Sequence, residues 1–239
     1  MTNGSDKRVA ASAALGIFIC VGLALAGFFV ANGVARLRSM DRVVSVRGLA
    51  EREMPANIAI WPIQFTDSND DLVALYAAIQ QKAEVIAKFL EQHGLEKSEI
   101  TVSPPSVRDR STESSEVQKG PRYTGTAEVT VYSDKIDAVR SAIQETLDLG
   151  KLGIVISGGW ESEPTYLFTK LNDVKPEMIE EATKNAREAA EKFAKDSGSR
   201  LGKIRSANQG LFEIDDRDPS NPHIKRVRVV TTVVYYLAD

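Results

Sequence analysis

The chain has 239 residues, 43% hydrophobic and 26% charged, a balance that excludes an intrinsically disordered polypeptide. Its net charge of −3 is unevenly placed: Met1 to Arg42 carry Lys7, Arg8, Arg36, Arg38 and Arg42 against Asp6 and Asp41, a net of +3, which leaves −6 for the remainder. An acidic remainder argues against nucleic acid as a partner, whose electrostatic footprint is basic. The one cysteine, Cys20, lies in an apolar run, so the rest of the chain has no internal disulfide, Cys-ligated zinc or Cys nucleophile; that composition is compatible with an oxidising compartment.

Residues 1–8 form a short tail. From Val9 to Ala35 no residue is charged, and basic residues flank the run on both sides. About 22 strongly apolar residues rising ~1.5 Å each span ~33 Å, enough for a hydrocarbon core of ~30 Å. A cleaved signal peptide has an apolar stretch of only about 7–15 residues. Ala24-Leu25-Ala26 offers a cleavage-like site, but Phe28, Phe29 and Val30 continue the apolar run past it. An uncleaved transmembrane anchor over 9–35 is therefore expected, followed by a basic juxtamembrane linker over 36–42. Lys7 and Arg8 nearly balance Arg36, Arg38 and Arg42, so the flanking charges do not orient it.

Val43 to Leu49 is Val-rich and strand-like. Ala59, Trp61, Ile63 and Phe65 alternate in a second strand with one buried face, and Pro62 places it at an edge or a bulge. Asp70 and Asp71 introduce a long helix with the stripe Leu72, Leu75, Tyr76, Ile79, Ala83, Ile86 and Leu90, ending at His93-Gly94. A strand at Ile100 and Val102 leads into a polar loop, Ser103 to Arg122, whose length points to function or mobility. Ala127, Val129 and Val131 alternate with Glu128, Thr130 and Tyr132 in a half-exposed strand. Ser133 is the expected cap of a helix with the stripe Ile136, Val139, Ile143 and Leu147, closed by Gly150. Strands follow at Leu152, Ile154 and Ile156, and at Tyr166 and Phe168. A helix from about Lys175 to Asp196 carries Pro176 in its first turn, with the face Ile179, Ala182, Ala186, Ala189 and Phe193. Gly198 ends it, and strands Ile204–Ile214 and Ile224–Leu237 close the chain, joined by Asp215 to Pro222. The last strand puts Val227, Val229, Val233, Tyr235 and Leu237 on one face. The fold expected over 43–239 is α+β, a two-layer sandwich of antiparallel sheet and helices, with an element order like a duplicated ββαββ unit.

Val44-Ser45-Val46-Arg47-Gly48 followed by Pro55, the segment Tyr123 to Val131, and the alanine-rich helix with its Gly and Leu-Gly pair over Ala182 to Lys203 resemble a SIMPL domain. The resemblance runs from about Val43 to Tyr236. It implies a bacterial extracytoplasmic domain, raises the expectation of self-assembly, and links some members to oxidative-stress tolerance. It carries over no catalytic residues.

Candidate chemistry is thin. His93 and His223 are the only histidines, and lone histidines at a helix end and in a loop are read as structural. Asp216, Asp218 and Ser220 imitate alternating calcium ligands. The required Gly and the closing Glu are absent, so a solvated hairpin loop is the better reading. Gly158-Gly159-Trp160 lacks the setting of a dinucleotide site, and Trp61 and Trp160 are read as packing residues before binding ones. No catalytic, cofactor-binding or metal-ligating residue is assigned. The expected role is non-enzymatic: an interaction or scaffold protein of the bacterial inner membrane, single-pass, its domain in the periplasm, forming a homo-oligomer and meeting envelope partners. The alternative is a small-ligand-binding or sensor module.

Overall fold

The computed structural model describes residues 16, 18–31, 42–112, 120–159 and 162–238. Residues 18–31 form helix α1, on which Phe18, Leu23, Phe28, Phe29 and Val30 are all exposed. Among the described residues no helix is long and apolar enough to cross a membrane. The anchor read over Val9–Ala35 extends past the described residues at both ends. The elements that follow are β1 (Val43–Pro55), β2 (Ile58–Asn69), α2 (Leu72–Gln92), β3 (Ile100–Val102), β4 (Ser106–Asp109), β5 (Tyr123–Ser133), α3 (Ile136–Gln144), α4 (Leu147–Lys151), β6 (Thr165–Leu167), α5 (Leu171–Asp196), β7 (Arg200–Asp216) and β8 (Ile224–Ala238). They form a three-stranded sheet, β1-β8-β7, and a five-stranded sheet, β3-β5-β2-β6 with β4 also on β5. The fold is thus mixed α+β. The sheets do not follow a duplicated ββαββ unit, because β1 pairs with the last strand and β2 with β6, so the two halves interleave. By contacts the chain divides into two units, one gathering the described residues up to Ala50 with Glu177–Leu211 and those from Val229 on, the other Glu51–Pro176 and Phe212–Arg228.

In the first unit α5 lies on the sheet through alanine. Met178, Ala182, Ala186, Ala190 and Ala194 recur at the i, i+4 spacing of a single helix ridge and are buried, and Ala186 and Ala190 meet Val46, Val233 and Tyr235. Gly48 explains why the ridge is alanine: a Cβ there would stand 1.8 Å from the Ala182 carbonyl oxygen and 2.4 Å from the Ala186 nitrogen. Helix backbone meets strand backbone with no side chain between. The expected face holds except at its end. Ala182 and Ala186 are fully buried and Ala189 packs partly buried against the same core, but the fully buried ridge continues through Ala190 and Ala194, and Phe193 is 61% exposed. Asn185 Nδ2 donates to the Leu49 carbonyl at 2.8 Å and pins the helix along β1. The helix begins at Leu171, so Pro176 sits inside it and not in its first turn. It begins there because the Asp173 amide already turns back to the Lys170 carbonyl and Asp173 supplies the acidic first turn that favours a helix start.

In the second unit β2 and β5 pair antiparallel from Ala59↔Ser133 to Asn69↔Tyr123. Alternation works as read: Ala59, Trp61, Ile63 and Phe65 of β2 and Ala127, Val129 and Val131 of β5 are buried. Against them packs α2 through Leu75, Ile79, Ile86 and Leu90, together with Val139 and Ala142 of α3. Asp71 caps α2 by accepting from the Ala74 amide at 2.8 Å, and Gly94 leaves it at φ +87. Gly125 lets α2 close on β5, since a Cβ there would lie 2.4 Å from Ile79 Cδ1. β2 lies inside the sheet order, yet Pro62 is tolerated. The Gln64 carbonyl accepts from Ser157, so the even-numbered peptide groups of β2 turn away from β5. β6 pairs only with Ile58 to Ile60, so the donor that Pro62 lacks falls beyond it.

Three further expectations are corrected. Ser133 does not cap α3, whose N-cap is Lys135 without a side-chain bond. Its hydroxyl instead accepts from the Lys135 amide and donates to Glu99 at 2.7 Å. The stripe through Leu147 breaks into two helices, leaving Leu147 81% exposed and Gly150 inside α4, while Gly153 at φ +78 makes the exit. Leu152 to Ile156 is not a strand. Only Ile156 bridges, to Phe65, because Ile154 is drawn into the core beside Leu149.

The Gly48 contact yields a paired prediction. Gly48→Val should destabilise the chain by at least about 2–3 kcal/mol, as overpacking against immovable backbone does. Gly150→Ala, with nothing within 4 Å of its added Cβ, should be neutral or stabilising by about 0.5–1 kcal/mol. Chemical denaturation of both variants measures the difference.

Candidate functional site

The chain between β3 and β5 was expected to be a loop. It holds a strand, β4, which pairs with β5 through Ser106↔Thr126, Val107↔Gly125, Arg108↔Thr124 and Asp109↔Tyr123. Residues 113–119 of that stretch lie outside the described residues. Strand alternation gives β4 two characters. Val107 faces the core side with Gly125. Ser106 and Arg108 face away from it, with Thr124 and Thr126 opposite.

Two unlike recesses result. On the helix side a groove of about 510 Å³ runs between α2 and residues 102–105, with Tyr76, Ile79 and Ala83 on one wall and Val102, Pro104 and Pro105 on the other. Tyr76 and Val102 are 46% and 51% exposed there. Its polar components include Ser103 and, on α2, Gln80 and Glu84, with Gln80 Nε2 3.5 Å from Glu84 Oε1. On the other side of β4 a recess of about 500 Å³ is lined by Ser106, Arg108, Arg110, Thr124 and Thr126. Thr124 Oγ1 lies 3.1 Å from Ser68 Oγ, so its hydroxyl is held in place by the neighbouring strand.

The acid nearest in sequence is already engaged. Arg122 forks onto Asp109, with Nη2 2.9 Å from Oδ2 and Nε 3.2 Å from Oδ1. The Arg122 guanidinium, joined by the Ser111 hydroxyl and amide, holds the Asp109 carboxyl well below the usual carboxylate range. Arg122 also lies over the Tyr123 ring, 4.8 Å from its centroid. A third recess, about 450 Å³, is lined by Trp61, Leu147, Ile156 and the Gly158-Gly159 turn. Trp61 is 4% exposed and part of the main core, so packing is its role, as read; Trp160 lies outside the described residues.

The histidines have separate structural settings. His93 Nδ1 donates to the Phe89 carbonyl at 2.8 Å, closing α2, and Nε2 lies 3.2 Å from Glu145. His223 stands beside the Tyr166 ring, 6.1 Å between centroids, and its carbonyl accepts from the Ala56 amide. Burial pushes the His223 imidazole below its ordinary value near 6.5, and the charges of Arg140 and Arg217 push the same way. The acidic hairpin is a self-contained turn. Asp218 accepts from Arg217 Nε at 2.8 Å, from the Ser220 amide at 3.0 Å and from Asn221 Nδ2, and Asp216 pairs with the buried Lys225. Among the described residues no three His, Cys, Asp or Glu side chains converge as a metal site would need.

Ser106, Arg108, Arg110, Thr124 and Thr126 were not singled out from the sequence. The available signal was the S-x-R-x-R alternation inside a stretch read as loop, facing T-x-T in the next strand.

The profile of the SIMPL family, described as a protein of unknown function (DUF541), matches residues 44–233. No curated protein matches the chain.

His223 gives a pH prediction. An unfolded histidine takes up its proton near pH 6.5, above the folded value, so acid favours the unfolded chain. Stability should therefore fall as pH drops below about 6.5, and His223→Gln should reduce that fall. Denaturant midpoints at about pH 7.5 and about pH 5 test it, with the gap between them smaller in the variant.

Proposed function

The chain belongs to the SIMPL family, and from that premise we propose that it is a non-enzymatic interaction protein of the cell envelope, tethered to the bacterial inner membrane by one N-terminal helix and assembling with copies of itself. The observation that carries this reading is α1. Every described residue of 18–31 is exposed, with Phe18 at 77%, Phe29 at 70% and Leu23 at 68%. A contiguous apolar surface of that kind is not left in water and calls for lipid or another protein to cover it. The uncharged run on either side of α1, from Val9 to Ala35, favours lipid. The periplasmic side rests on the family resemblance, with which a thiol-free domain agrees.

Self-assembly is supported by β7. Among the described residues it pairs with β8 alone, at the end of its sheet, and residues 203–209 are exposed on both faces. A long, open strand edge is a template for another strand. The second reading, a small-ligand module, is supported by the groove between α2 and residues 102–105. Its volume falls within the range of about 300–1,000 Å³ typical of ligand pockets, and its walls are apolar.

The protein should sediment with membranes after alkaline carbonate extraction and leave them only with detergent. In mild uncharged detergent its native mass should be a multiple of the chain mass. Leu211 is 90% exposed, so Leu211→Glu should change fold stability by no more than about 0.5 kcal/mol while reducing that mass. A monomeric wild-type chain would remove the self-assembly reading, and release by carbonate would remove the tether.

A further inference from the structure

Building on the small-ligand reading of the groove between α2 and residues 102–105, we propose that its ligand is a small hydrophobic amine, with an aliphatic or aromatic body lying against Ala83 and Val102 and its ammonium at Glu84. The groove exists because the edge of the sheet is interrupted. Val102 pairs with Val129 and Ser106 with Thr126, so the four steps from 102 to 106 lie beside the three from 129 to 126. The extra residue falls at Pro104-Pro105, which lack the amide hydrogens that continued pairing needs. One extra residue also reverses the alternation of side chains. Val102 and Val107, five positions apart, therefore both stand on the face that α2 covers, opposite Val129 and Gly125. Across from this wall α2 presents Ala83 and Ala87, and β5 supplies Ala127 beneath. Three small side chains leave open a space of about 510 Å³, within the range of small-ligand pockets.

The polar groups around this space select the ligand's charge. Glu84 is the one charged residue lining it among the described residues. Its carboxylate receives a long contact, 3.5 Å, from Gln80 Nε2, at the limit of a hydrogen bond. Amide donors are scarce. Pro104 and Pro105 have none, the Ser103 amide donates to the Glu128 carbonyl at 2.9 Å, and the α2 amides at this point serve the helix itself. A ligand carboxylate or phosphate would meet Glu84 with few donors to offset the repulsion. An ammonium brings three donors of its own and the opposite charge. Tyr76 adds an aromatic ring at the same groove, and cations are attracted to such rings. Apolar walls with an acid at the margin thus match a molecule that is apolar along its body and cationic at one end.

The test uses the full chain in uncharged detergent micelles, with empty micelles as the reference, and reads binding by calorimetry. Four probes are compared: hexylammonium, hexan-1-ol, hexanoate and a capped apolar pentapeptide with one central lysine. Hexylammonium should bind at one saturable site per chain, about three-fold or more tighter than hexan-1-ol, the size of an exposed ionic contact. Hexanoate should bind more weakly than either. Glu84→Gln should bring the amine down to the affinity of the alcohol and leave the alcohol unchanged. Glu180→Gln, which removes the same charge from an exposed position on α5, should alter neither. Val102→Trp, made at a position 51% exposed, should fill the groove and weaken amine and alcohol alike. Equal binding of amine and alcohol to the wild-type chain, or an advantage of the amine that survives Glu84→Gln, overturns the amine while the groove stands as a ligand site. Tightest binding by the pentapeptide overturns it in favour of a protein segment, and binding untouched by Val102→Trp overturns its location. No saturable binding by any probe removes the small-ligand reading together with the amine.

Discussion

The first unit depends on a contact between two stretches of backbone. At Gly48 the strand offers α5 no side chain, and the helix answers with alanines at 182 and 186. Close approach of this kind brings many weak dispersion contacts into range at once and costs almost no side-chain entropy, because alanine has none to lose. It also removes tolerance. A leucine ridge could shift to absorb an added methyl group, whereas a helix carbonyl facing a strand cannot. The remaining contacts of this core, Val46, Val233 and Tyr235 on the sheet and Leu201 at its margin, are set by the depth at which that helix sits. Asn185 on the Leu49 carbonyl fixes its position along the strand.

The second unit solves its packing differently. Its centre is the long β2–β5 ladder, with large β-branched and aromatic side chains on the buried face. Here the helix is held off by side chains, and at Gly125 the Ile79 side chain of α2 reaches the strand itself. The opposite face of the ladder is polar. Gln64 donates to Glu128 at 3.1 Å, Thr130 donates to Glu128 at 2.8 Å, and Ser68 contacts Thr124. The two cross-strand pairs among these, Gln64–Glu128 and Ser68–Thr124, stabilise by about 0.2–1 kcal/mol each.

What the sequence displayed, and what it hid, follows from where the information lies. Period-two alternation in β2 and β5 and period 3.6 in α2 report burial directly, and those elements stand where they were read. The faces of α5 were harder. Ala189 and Ala190 look alike in a sequence, and which of them is fully buried depends on how the helix lies on a strand more than a hundred residues away. Ser133 reads as a cap by residue type, but its hydroxyl is used by Glu99, as acceptor, and by the Lys135 amide, as donor, and the first of these partners is remote before folding. Residues 152–156 have strand-like composition, yet strand formation needs a partner edge, and only Phe65 provides one bridge. The polar residues of β4 were concealed by the same logic in reverse. Ser, Arg and Pro are loop residues by propensity, and the pairing with Thr124 and Thr126 is what makes them a strand.

That last case also bears on how the molecule could act. A segment that alternates Val107 inward with Ser106 and Arg108 outward separates two environments across a single strand: an apolar groove beside α2 and a recess lined by arginine and hydroxyl side chains. Both are suited to holding a ligand, one by its apolar body and one by its charge. β4 is paired on β5, and β5 carries Val129 and Val131 in the core, so the backbone that presents Arg108 is continuous with the central ladder.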